Sequence, residues 1–168
     1  MKITDLITLT DFFEGIAKRT EGIDFFLPLS NGEKAIDEIE SYYTNDYKGT
    51  TAFFQMAESG RKDNGAGLES LTFMCSMTVA QKPDGVGARA GLITRDRTQK
   101  LLLSMLGQIE LAVEASIEEL EDEGESYEFS VAPAERMFPI GQLANVNLEG
   151  HYIDIDVTIP ANHLLYPA

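Results

Sequence analysis

The residues able to do chemistry are thinly spread in this chain. Gly85, Val86, Gly87, Ala88, Arg89 and Ala90 match G-x-G-x-x-A. A dinucleotide turn of that form needs a strand running straight into it. It also needs a helix opening inside it, so that free N–H groups meet the phosphates. Pro83 and Asp84 interrupt the approach. Helical periodicity sets in only near Thr94, and no βαβ repeat surrounds the segment, so residues 83–91 are expected to form a loop. No G-x-x-x-x-G-K-[ST] occurs. His151 and His163 are not at metal-ligand spacing, and solvated or capping roles are expected for both. Cys75 lies in the most apolar strand, where a thiol is inert. Asp154 and Asp156 share one strand face, but calcium needs six to eight oxygens and no D-x-D-x-D-G loop supplies them. A solvated sheet face is the expectation there. No catalytic residue, cofactor or metal is therefore expected, and the chain is read as a non-enzyme.

Charge placement is more informative. Arg95, Arg97 and Lys100 crowd the first turns of the longest predicted helix, with Arg89 just before it. Glu114, Glu118, Glu119, Glu121, Asp122, Glu123 and Glu125 crowd its end. The helix macrodipole prefers the reverse, at roughly 0.3–1 kcal/mol for each exposed charge. Such charges fit contacts outside the domain. The positive end of one copy would meet the negative end of the next, giving a head-to-tail ring or filament. Leu164, Leu165 and Tyr166, between Pro160 and Pro167, form a second candidate contact.

The elements that carry these residues follow from periodicity. Residues 4–19 predict a helix capped by Thr4, and 32–43 a shorter one capped by Ser30 or Asn31. Residues 22–29 predict an irregular or short extended piece. Residues 50–58 and 68–81 predict a β-hairpin, with Leu71, Phe73, Cys75, Met77 and Val79 on one face. Three glycines and Asn64-Gly65 make 60–67 its mobile tip, where Arg61 and Lys62 are candidate contacts. The long helix runs from about 94 to 122 and stops near Gly124. Strands are predicted over 126–131 and 151–159, with an irregular piece between Pro133 and Pro139. The expected fold is one α+β domain over 1–168, with a C-terminal arm at 160–168. Its helices pack on one face of a mainly antiparallel sheet, and the long helix lies between the hairpin and the closing strands.

The 168 residues include 28 acidic and 13 basic side chains, for a net charge of −15. Phosphate backbones repel such a surface, so groove-tracking nucleic-acid binding is not expected. A wall past which DNA slides without sticking is compatible with it. The single cysteine excludes an intramolecular disulfide. Asp5, Asp11 and Glu14 interrupt the first apolar stretch, so it is read as mature structure. No apolar run is long enough to cross a bilayer, and a cytoplasmic location is expected.

The order TTAFFQMAESG, LESLTFMCSMTVAQ, TQKLLLSMLGQIELAVEASIEEL and GHYIDIDVTIP resembles the tail-terminator and neck (head-tail joining) proteins of tailed phages and prophages. The likeness is one of size and element order over most of the chain. It implies a ring, often a hexamer, that stops tail-tube growth and joins tail to neck. Partners would be copies of the chain itself and tail-tube or neck proteins, with DNA only passing through. It implies assembly in the cytoplasm, residence in the virion tail or neck, and no catalysis. The extra helix at 32–43 and the apolar tail depart from the simplest form of that pattern. Two alternatives stay open. One is a small-ligand or regulatory binding module with a pocket between sheet and long helix. The other is a hydrolase using Asp154, Asp156 and a metal.

Overall fold

The computed structural model describes residues 3–31, 33–43, 47, 49–63, 69–122, 130–143 and 146–161. Helix α1 (Leu6–Arg19) opens at Asp5, whose carboxylate accepts from the Thr8 backbone N–H at 2.8 Å. The Thr8 hydroxyl in turn accepts from the Asp5 backbone N–H at 3.1 Å, closing a capping box. The cap is thus Asp5 and not Thr4, because Thr4 directs its own N–H to the same Thr8 hydroxyl. The bond from the Thr8 backbone holds the Asp5 carboxyl below its usual range. The helix buries Leu9, Phe12, Phe13, Ile16 and Ala17, the apolar stripe legible in the sequence.

Strand β1 (Phe25–Leu29) pairs in parallel with β2 (Thr51–Asp63). Helix α2 (Glu33–Tyr42) lies between them in sequence. The segment 22–29 is therefore a true strand for most of its length. Pro28 is tolerated because β1 is an edge, where one side of the strand needs no donors. Strand β2 returns through the hairpin to β3 (Glu69–Gln81) in antiparallel register, Thr51 facing Ala80 and Asp63 facing Glu69. Residues 60–63, expected in the tip, are thus paired strand; the rest of the expected tip lies outside the described residues. A bulge between Met56 and Glu58 shifts the register of β2 by one.

Helix α3 (Ala88–Asp122) leads to β4 (Ser130–Pro133), β5 (Phe138–Leu143) and β6 (Leu148–Pro160). The sheet order is β1-β2-β3-β6-β4, with β5 also on β6. Residues 134–137, between Pro133 and Pro139, are irregular as expected, while the prolines themselves are paired. Both prolines sit in short edge strands, beside Ile155 and His151 of β6. The strand expected over 126–131 is described only from Ser130 onward. Strands β3 and β4 both run antiparallel to β6, so α3 links two parallel strands. Local periodicity carries no signal for such a crossover.

Side-chain alternation divides the core. Phe54, Phe73, Cys75, Met77, Val79, Ile153, Ile155, Val157 and Ile159 join α1 and α3 in the main cluster. The neighbouring Phe53 points the other way, into a second cluster with Ile39, Tyr43, Ala80 and Leu148. Helices α1 and α3 thus share one face as expected, while α2 serves the second cluster. The fold is α+β with a mostly antiparallel open sheet. Among the described residues, no helix is long and apolar enough to cross a membrane.

Candidate functional site

The long helix begins six residues earlier than its periodicity suggests. Gly85 (φ 114°) and Gly87 (φ 102°) take left-handed conformations that complete the turn after Pro83. The Ala90 N–H then donates to the Gly87 carbonyl at 3.1 Å. Ala88, Arg89 and Ala90 are strong helix formers, so the helix closes there at once. Gly91 weakens the helical signal in the sequence. A Cβ at that position would lie 2.6–2.9 Å from the Glu149 carboxylate, so glycine permits the close approach of helix and sheet. The glycine turn does sit between a strand and a helix. Lys82, Pro83 and Asp84 still separate β3 from its first glycine, whereas a dinucleotide turn follows its strand directly.

The early start changes the meaning of the basic cluster. Only Arg89 now lies in the first turn, where the macrodipole acts most strongly. Arg95 turns toward the sheet, and its Nε donates to Glu149 at 2.8 Å. That pair lies within the domain, so Arg95 is a poor candidate for an outward contact. Lys100 is exposed and pairs with Asp96 at 2.7 Å. Arg97 and Arg89 are exposed.

Under the same turns lies His151, expected in a solvated or capping role but in fact buried within β6. Its Nδ1 lies 3.4 Å from the Thr98 hydroxyl. The alternation that places Ile153 inside also places His151 and Glu149 inside, which could have revealed both. Burial, and then the charge of Arg95, hold the imidazole below its ordinary pKa of 6.5. The unfolded chain therefore takes up this proton at a higher pH than the folded one. Stability from the neutral ring is full above 6.5 and declines as pH falls below that value. The urea midpoint of the native chain is expected to drop between about pH 7 and 5, and His151→Gln is expected to flatten that part of the curve.

Along its outward side α3 exposes Leu92, Ile93, Leu103 and Leu111. Glu110 and Glu114 are exposed farther along. Glu118, Glu119, Glu121 and Asp122 occupy the last turns of the helix; their side chains lie outside those described. Helix α3 is roughly 50 Å long at about 1.5 Å per residue, so its basic and acidic parts are well separated.

The other candidate contacts divide. Arg61, itself exposed, pairs across the hairpin with the buried Glu69, and Lys62 is exposed as well. The bulge in β2 accounts for this pairing, because it swings Arg61 onto the side of the sheet that carries Leu71 and Glu69. Leu164, Leu165 and Tyr166 lie outside the described residues. Asp154 and Asp156 are exposed on β6, opposite Ser76 and Met74. Cys75 is buried, and burial, then Asp156, push its thiol up to about 12. Among the described residues, no group of three or more His, Cys, Asp or Glu side chains could hold a metal.

Several shallow hollows mark the surface. One of about 310 Å³ lies between α1 and β1, with the Lys18–Glu14 ion pair among its lining residues. Another, of about 180 Å³, lies between α3 and β4. No protein-family model matches the chain, and no curated protein is significantly similar to it.

Proposed function

We propose that this chain is a structural assembly protein of a phage-like tail or neck. Its copies form a ring that ends the tail tube and joins it to the connector. One observation carries the reading: the outward side of α3 presents Leu92, Ile93, Leu103 and Leu111 to solvent, along a helix whose first half is basic and whose second half is acidic. Large exposed apolar side chains along one element mark an interaction surface. Opposite charge at its two ends favours contact between unlike regions of two copies. The net charge of −15 supports the same reading, since a strongly acidic ring lets DNA pass without sticking.

The test is the solution mass by light scattering at low and high salt. A mass of several copies is expected at low salt, falling as salt screens the exposed charges. A strict monomer at every concentration and salt level contradicts the proposal.

A further inference from the structure

We propose that the contact between copies is a knob and a hollow: Leu92 and Ile93 of one copy seat between α3 and β4 of the next. This rests on the self-assembly reading and names its surfaces. The hollow of about 180 Å³ is floored by Leu106, Ile109, Val113, Val131 and Pro133. Small-molecule sites usually measure roughly 300–1,000 Å³, so this one suits a side chain better than a free ligand. Glu110 and Glu114 are exposed among its lining residues, giving an apolar floor an acidic edge.

The knob has the complementary character. Leu92 and Ile93 are each 63% exposed, far more than such side chains usually are in a folded domain. The exposed Arg89 and Arg97 lie one turn to either side. Asp96 also lies there, but its charge is taken up by Lys100. Apolar thus meets apolar at the centre while arginine meets glutamate at the rim, the layout of a stable protein contact.

Knob and hollow lie on one rigid helix about 25–30 Å apart, so a copy's knob does not reach its own hollow. Each copy then uses its knob on one neighbour and its hollow on the other. Such a heterologous contact generates a closed ring or an open filament, not a two-fold dimer.

Charge reversal in the full chain tests this. The knob variant is Arg89→Glu with Arg97→Glu, and the hollow variant is Glu110→Lys with Glu114→Lys. All four side chains are exposed, so folding should be kept, as circular dichroism will check. Each variant alone is expected to associate at least about tenfold more weakly than the native chain. An equimolar mixture is expected to regain the native mass, because both mixed contacts again pair opposite charges.

Cysteine pairs give a second readout, since Cys75 is buried. Ile93→Cys mixed with Val131→Cys should form intermolecular disulfides, and neither alone should. If the native chain assembles while either reversal leaves its mass unchanged, or the mixture stays dissociated, the knob-and-hollow contact is wrong and self-assembly stands. Disulfide dimers of Ile93→Cys alone also refute it, in favour of an isologous helix pair. A native chain that never associates removes both proposals together.

Discussion

Phe13→Ala is expected to lower the stability of the folded chain by about 3–5 kcal/mol. Phe13 is fully buried and sits where α1 meets the sheet. Its ring stacks on Phe54 at 4.6 Å between centroids and meets Phe12 edge-on at 5.3 Å. Truncation removes the transfer energy of the ring and leaves a void that three surrounding elements cannot easily close. Domains of this size are stable by only about 5–15 kcal/mol, so a large share of the total is at stake. Urea unfolding followed by circular dichroism measures the change. A loss below about 1 kcal/mol would mean that α1 does not dock through this ring.

The second large effect is expected at Gly150, and it has the opposite origin. A Cβ there would meet the Val79 carbonyl and lie 2.8 Å from both Cα and Cβ of Ala80. Two of these are main-chain atoms of β3, fixed by the pairing of Gly150 with Ala80. They cannot yield without opening the β3–β6 ladder. Gly150→Ala is therefore expected to cost roughly 3 kcal/mol, the upper end of overpacking. A lower thermal midpoint, with aggregation on heating, is the readout. A variant as stable as the native chain would contradict the packing described for this strand.

Much of the fold was legible because apolar spacing is a strong signal wherever an element buries one face. The alternation in β3 and β6 marked Leu71 to Val79 and Ile153 to Ile159 correctly, and the stripe of α1 marked Phe12, Phe13 and Ile16. Legibility failed where local preference and tertiary context disagree. Pro28, Pro133 and Pro139 argued against strands, yet edge positions accept them. The glycines before α3 and Gly91 within it argued for a loop, yet packing against Glu149 favours a helix there.

The candidate surface was legible only in part. Its charges could be seen in the sequence, but not which of them are paired within the chain. Arg95 and Arg61 are spent on Glu149 and Glu69, because strand alternation and a bulge bring those acids beneath them. The exposed Leu92 and Ile93 fell between the loop expected over 83–91 and the helix expected from about 94. The hollow beside β4 depends on chain pairing that no local pattern encodes.

The central place of β3 in the sheet carries a kinetic consequence. Its pairing with β2 closes one short hairpin, whereas its pairing with β6 joins Ser70 to Pro160 and Gln81 to Glu149, with the whole of α3 in between. Distant closure is slow because chain entropy is lost before contacts compensate it. The hairpin amides of β2 and β3 are thus expected to gain protection first in pulse-labelled hydrogen exchange during refolding, and β6 last. Until β6 arrives, one edge of β3 stays bare, and crowded nascent chains are most prone to mispair in that interval.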